Sequence, residues 1–192
     1  MYDLFNGCQQ LKTVNLKLPK GVTSIGTYFM YRAFSGLQNC SVNISGGDDW
    51  RINTIPNFFL NSVFSGNFNN IKLFNTRDWG VTSLQQNFLN KTFNISTSSL
   101  TDIELLDTTN WNVTTIPSPP LIFDNTFLGT PSQLILTLKG SLYVQTIRPF
   151  TTNSMGLLNA NVVNIKVDPA LISTYQSHSW WSNITPSKFI SR

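Results

Sequence analysis

Few residues in this chain could do chemistry. The only histidine, His178, lies in the C-terminal segment between Tyr175 and Trp180, where a packing or solvent-facing role accounts for it. Among the 9 acidic residues the nearest to pairs are Asp48–Asp49 and Asp102/Glu104. Two apart on a strand, Asp102 and Glu104 point the same way and could line a site or hold one loosely bound cation. Asp49 occupies a turn position, which explains it without a ligand. No Gly-x-Ser-x-Gly, no glycine-rich phosphate loop and no His/Cys/carboxylate set with ligand spacing occurs. The sequence therefore leads us to expect no catalytic residue, no metal and no cofactor. Cys8 and Cys40 fall at different positions of the repeat described below, so they read as free buried thiols and not as a disulfide pair. One further set could act on a ligand: Trp50, Trp79 and Trp111 recur in register. They form either a sugar-stacking strip or a buried row, and recurrence at one fixed position favours the core.

What positions these residues is an internal repeat. A short apolar pair recurs as Val22/Ile25, Ile52/Ile55, Val81/Leu84, Val113/Ile116 and Val144/Ile147, at spacings of 30, 29, 32 and 31 residues. Two residues before it stand the three tryptophans, with Lys20 and Leu142 in that slot in the outer copies, and Asp49, Asp78 or Asn110 precedes each Trp. Nine residues after the pair come Phe34, Phe64 and Phe93; Phe127 takes that role after an insertion around Pro117, Pro119 and Pro120, and Met155 and Leu157 are what remains near it in the fifth copy. Each copy also carries an alternating apolar pair: Val14/Leu16, Val42/Ile44, Ile71/Leu73, Ile103/Leu105, Leu134/Leu136 and Val163/Ile165. Alternation of period 2 is a half-buried strand. A unit of about 30 residues cannot bury its own apolar face, so copies must stack in register into continuous rows. The segments between the apolar pair and the Phe, such as residues 26–34, are too short and aromatic for a long helix; a helical turn or two, or irregular structure, is expected there.

Composition agrees with a stacked, binding-type object. Only 11% of the 192 residues are charged, against roughly 25% in ordinary soluble domains. The net charge of +4 comes from scarce acids, with Lys and Arg scattered singly, so no nucleic-acid footprint is visible. No apolar run approaches the roughly 20 residues of a membrane span, and MYDLFNGC has neither a basic n-region nor a long h-region. Asn-x-Ser/Thr occurs at Asn39, Asn43, Asn90, Asn94, Asn112 and Asn183, about as often as chance gives in a chain so rich in Asn, Ser and Thr.

The stretches LTDIELLDTTNWNVTTI (100–116), FNGCQQLKTVNL (5–16) and AFSGLQNCSVNI (33–44) resemble the BspA-like leucine-rich repeats of bacterial surface proteins, and also the related tandem surface repeat of mycoplasmas. The resemblance runs from about Tyr2 to Trp181, and VDPALISTYQSHSWW (167–181) is similar to the family's terminal segment. It implies a single leucine-rich-repeat solenoid over residues 1–192: five to six coils, mostly β, a parallel sheet on one face and short helical turns or irregular segments on the other. Residues 168–192 would form a C-terminal capping segment. MYDLFNGC matches the Phe-bearing end of a repeat whose strand is absent, so an N-terminal cap is expected to be missing and a partner or more chain to cover that end.

Function is then expected on the sheet's outward face. Strand alternation turns Phe74, Leu106 and Ile135 outward on adjacent strands, an apolar patch in a polar surround, with Lys72 and Glu104 beside it as an orienting charge pair. The expectation is an adhesion or recognition module, extracellular or on a cell surface, for a protein or glycan on a host or neighbouring surface. The alternative is a structural subunit of a larger assembly, such as a virion fibre or appendage, whose N-terminal end packs on a neighbour or a second copy.

Overall fold

The computed structural model describes residues 1–95, 99–116, 126–129, 133–145, 160–179 and 181–192. The chain winds as a parallel β-solenoid of about four turns with little helix. Its elements in order are β1 (Thr13–Lys17), β2 (Phe34–Ser45), β3 (Thr54–Ile55), β4 (Phe64–Lys72), β5 (Ser83–Leu84), β6 (Phe93–Asn94), β7 (Asp102–Asp107), β8 (Phe127–Gly129), β9 (Leu134–Lys139), α1 (Leu142–Gln145), β10 (Val162–Val167), α2 (Ile172–Ser177) and β11 (Phe189–Ser191). Ile147, the Pro117–Pro120 insertion, Met155 and Leu157 lie outside the described residues.

Three faces carry ladders where the sequence implied one. On the first, Val14 pairs with Val42 and Val42 with Ile71, while Leu16 pairs with Ile44, all parallel and in the register of the repeat. The long strands β2 and β4 bend across a corner, so their other ends form a second ladder, Phe34↔Phe64↔Phe93↔Phe127. A third, two-stranded ladder pairs Thr54 with Ser83 and Ile55 with Leu84. Among the described residues, no helix forms between the third and second faces. Tyr28, Met30 and Arg32 alternate into the left-handed region, as do Phe58, Leu60, Ser62 and Asn87, Leu89, Lys91. This produces consecutive turns, Tyr31 N–H to the Tyr28 carbonyl and Ala33 N–H to the Met30 carbonyl, both 3.1 Å. Each non-glycine residue held there costs about 1–2 kcal/mol. Bonds between coils offset this, for example Ser62 N–H to the Asn90 carbonyl at 3.0 Å.

Stacking fills the interior. The Phe34, Phe64, Phe93 and Phe127 rings lie 5.4–5.6 Å apart and nearly parallel. Phe29, Phe59 and Phe88 make a second stack, at 5.5 and 5.7 Å. Trp50 and Trp79 stack at 5.2 Å. Each indole N–H donates to a carbonyl of the coil before: Trp50 to Pro19 (2.7 Å), Trp79 to Gly47 (2.9 Å) and Trp111 to Thr76 (2.8 Å). Buried polar groups need such partners, so the row fixes coil spacing as well as filling space. In the next coil the role passes to Tyr143 and not to Leu142: its hydroxyl donates to the Leu106 carbonyl (2.9 Å), and Trp181 donates to the Tyr143 carbonyl (3.0 Å).

The first face differs from expectation in two respects. Its ladder is broken: β1, β2 and β4 belong to one sheet, β7, β9, β10 and β11 to another. Coil length explains the break. Eighteen residues separate Phe93 from Trp111, against fifteen from Phe64 to Trp79, and the extra length carries β7 off the β4 register. Parity also changes. Bulges interrupt β7–β9 between Glu104 and Asp107 and β9–β10 between Val162 and Asn164. Consequently Leu105 and Leu106 both turn inward, Ile103 aligns with Leu136 and Ile165, and Val163, expected inside, is exposed while Val167 is buried.

Candidate functional site

The break in the first face opens a cleft of about 290 Å³ between the two sheets. Lys72, the last residue of β4, stands on one wall. Glu104 and Asp107 of β7 stand on the other, with Lys139 of β9 behind them. Asp48 closes one end, where its carboxylate accepts a hydrogen bond from the Asn75 amide (2.8 Å). The cleft continues along Asn70–Leu73, Asp102 and Glu104 as a hollow of about 320 Å³. A wider one, about 550 Å³, lies across β7, β9 and β10 towards Arg192. Glu104 borders all three.

Charge is concentrated here, in a chain that has little. Glu104 takes Lys139 as its ion-pair partner at 2.5 Å, Asp102 takes Lys166 at 4.0 Å, and Asp168 takes Arg192 at 2.5 Å. Asp168 also accepts from Gly140 N–H at 3.3 Å. Asp107 caps a local turn, accepting from Thr109 N–H (3.0 Å) and its hydroxyl (2.5 Å). Pairs as exposed as Asp102–Lys166 stabilise little; their effect is to hold donors and acceptors in fixed places. Lys72 has no ion-pair partner among the described residues, so its ammonium is free for an incoming acceptor.

The structure redraws the expected patch. Phe74 is 3% and Leu106 1% exposed, so the apolar cluster expected on the outer face is absent. Phe74 follows the end of β4, where alternation stops. It turns in at the corner to stack on Trp79 at 5.6 Å and meet Trp50 at 6.3 Å. Leu106 is drawn in by the bulge in β7. Ile135 is half-buried and aligns with Asp102, not with Glu104. Lys72 and Glu104 are exposed at the cleft, but the expected pair between them is replaced by Glu104–Lys139. Asn75, Asp107 and Lys139 are not marked as site residues by the sequence, and Asp48 stands out there only as the neighbour of Asp49; the broken ladder is what brings the four together.

Trp50, Trp79 and Trp111 are 1%, 1% and 6% exposed, so they offer no face to a sugar. Cys40 is buried, and burial pushes its thiol above the ordinary range, with Lys12 pulling the other way. Cys8 was expected to be buried and is exposed. Among the described residues no three His, Cys, Asp or Glu converge on a metal-sized site, and no helix is long and apolar enough to cross a membrane. No protein family, no curated protein and no solved structure matches this chain.

Proposed function

We propose that this chain is a non-enzymatic binding or adhesion module of a surface-exposed protein, a leucine-rich-repeat solenoid of the BspA-like kind. The first face would meet a protein or glycan on a host or neighbouring surface. The observation that carries this reading is the cleft between β4 and β7, with the unpaired Lys72 on one wall and the Glu104–Lys139 pair on the other. Such a site is rigid, since its walls belong to two ladders, and a rigid site loses little freedom on binding. Its fixed charges of both signs suit orientation and selectivity more than raw affinity. The test is saturable binding of fluorescently labelled chain to intact epithelial cells and to immobilised extracellular matrix, with unlabelled chain as competitor. Binding that saturates and is competed supports the reading; uptake that rises linearly with concentration on every surface refutes it.

A further inference from the structure

The cleft between β4 and β7 has two bare main-chain edges for walls. In a parallel ladder alternate residues bond to opposite neighbours. Ser41 N–H donates to the Lys12 carbonyl (2.9 Å), so Ser41 and Asn43 bond towards β1 and Val42 towards β4. Asn70 and Lys72 complete that ladder, and the main-chain groups of Ile71 and Leu73 turn towards β7. Across the cleft, Ile135 N–H donates to the Thr101 carbonyl (2.7 Å). Ile103 and Leu105 therefore bond towards β9, and Asp102 and Glu104 turn towards β4. No ladder joins these two edges, and the hollow of about 320 Å³ lies between them. Main-chain donors and acceptors thus stand on both walls, with further coils on either side.

Both ends of the cleft are tied. At one, the Ser99 hydroxyl donates to the Asn69 side-chain carbonyl (2.8 Å); at the other, the Thr76 hydroxyl donates to the Asp107 carbonyl (2.7 Å). A strand laid between β4 and β7 needs about 9.5 Å between them along its whole length, twice the spacing of neighbouring strands. Coils held together at both ends do not open that far there, so no peptide threads the cleft as an added strand. What fits is a compact end group entering from the open face. The two hollows, of about 290 and 320 Å³, each match the lower end of small-ligand sites, about 300 Å³.

Each carboxylate along the cleft uses one oxygen and keeps the other. Asp48 Oδ1 accepts from Asn75, Asp107 Oδ1 from Thr109, and Glu104 Oε1 pairs with Lys139. Asp48 Oδ2, Asp107 Oδ2 and Glu104 Oε2 have no partner among the described residues. Lys72 brings its unpaired ammonium to the same space. A cationic side chain is opposed by Lys72 and an anionic one by three carboxylates, so neither satisfies the whole lining. A neutral group with several hydroxyls does, because each hydroxyl donates once and accepts twice. A sugar ring carries such hydroxyls at adjacent fixed positions, and half-buried Leu73, which lines both hollows, offers an apolar contact to its C–H face. Resting on the cleft as the recognition site proposed above, we infer that its ligand is the neutral terminal sugar ring of a glycan. The sugar hydroxyls donate to Asp48, Glu104 and Asp107, and one accepts from Lys72. Phe74, which lines the cleft, is buried, so no stacking on an aromatic face adds to the hydrogen bonds and a single ring binds weakly.

The test is saturation-transfer NMR of the whole chain with the methyl glycosides of glucose, galactose, mannose, fucose and N-acetylglucosamine, beside the N-acetyl amides of arginine and glutamate. We expect at least one glycoside to bind saturably and neither amino-acid amide to compete with it. Its dissociation constant stays the same between low and high salt, because salt screens charged ligands and this one is neutral. Lys72→Ala with Glu104→Ala, two exposed residues, raises that constant about tenfold or more. On cells, mild periodate, which opens the vicinal diols of sugars, abolishes saturable binding of the chain. Absence of saturable binding by every glycoside overturns the inference. So does wild-type glycoside binding by the double variant, or tighter binding of either amide than of any sugar. Saturable cell binding that survives periodate overturns the sugar and leaves the recognition site standing. A glycoside held in the cleft of a chain that binds neither cells nor matrix saturably does the reverse.

Discussion

Replacing Trp79 by Ala tests whether the tryptophan row holds the coils together. The indole is 1% exposed and stacks on Trp50 at 5.2 Å and Phe74 at 5.6 Å, with Phe59 edge-on at 6.2 Å. Its N–H is the donor to the Gly47 carbonyl of the preceding coil. Truncation of a large buried aromatic costs about 3–5 kcal/mol. For a chain of this length that is a fall in Tm of roughly 6–20 °C, at about 2–4 °C per kcal/mol. Trp79→Phe keeps the stack but orphans the carbonyl, so it should cost less, about 1–3 kcal/mol. Urea unfolding followed by far-UV circular dichroism measures both, and coincident transitions at two wavelengths check cooperativity. A Trp79→Ala chain within about 1 kcal/mol of wild type, half the smallest loss tabulated for large-to-Ala core changes, would refute the reasoning.

Phe74→Ser separates the buried corner seen here from the exposed patch implied by alternation. We expect a loss of about 3–5 kcal/mol in urea unfolding, whereas an exposed Phe74 would leave stability within about 0.5 kcal/mol of wild type. Alkaline titration tests the buried phenols. Burial raises the Tyr143 and Tyr175 hydroxyls above the ordinary tyrosine range, and raises the Cys40 thiol. These protons are held more tightly folded than unfolded. Stability is therefore fully present below the unfolded values, about 8.5 for the thiol and about 10 for the phenols, and falls as pH rises beyond them. The urea midpoint should hold up to about pH 8.5 and drop steadily above it; a midpoint flat to about pH 11 would contradict the burial.

What could be read from the sequence was what the repeat spells out at fixed spacing. Val14, Val42 and Ile71 align as their positions imply, and so do the Trp slot and the Phe34–Phe127 column. The second and third ladders were not legible, because strands as short as Phe93–Asn94 or Thr54–Ile55 hold no alternation to detect. Nor was the inward turn of Phe74 and Leu106. Period 2 projects a side chain outward only while the strand stays regular, and β4 ends at Lys72 while β7 bulges after Glu104. One inserted residue reverses parity for everything after it. The cleft followed from the same irregularity. Three extra residues in one coil are visible in the sequence, but not that they split the sheet. Lys72 and Glu104 were found on correct strands; their neighbours Asp48 and Lys139 come from coils on either side.

The measurement that bears most directly on the cleft as recognition site compares two faces of one solenoid. Lys72→Ala with Glu104→Ala alters the cleft, and Ser35→Ala with Ser65→Ala alters the ladder face that carries the Phe column. All four residues lie at the surface or are half-buried, so both double variants should keep the wild-type Tm. In the saturation assay on cells and matrix, the account predicts that the cleft variant loses at least about tenfold in apparent affinity, the equivalent of about 1.4 kcal/mol, while the other binds as wild type. Equal binding by the two, or loss only in the Ser35/Ser65 variant, would contradict it.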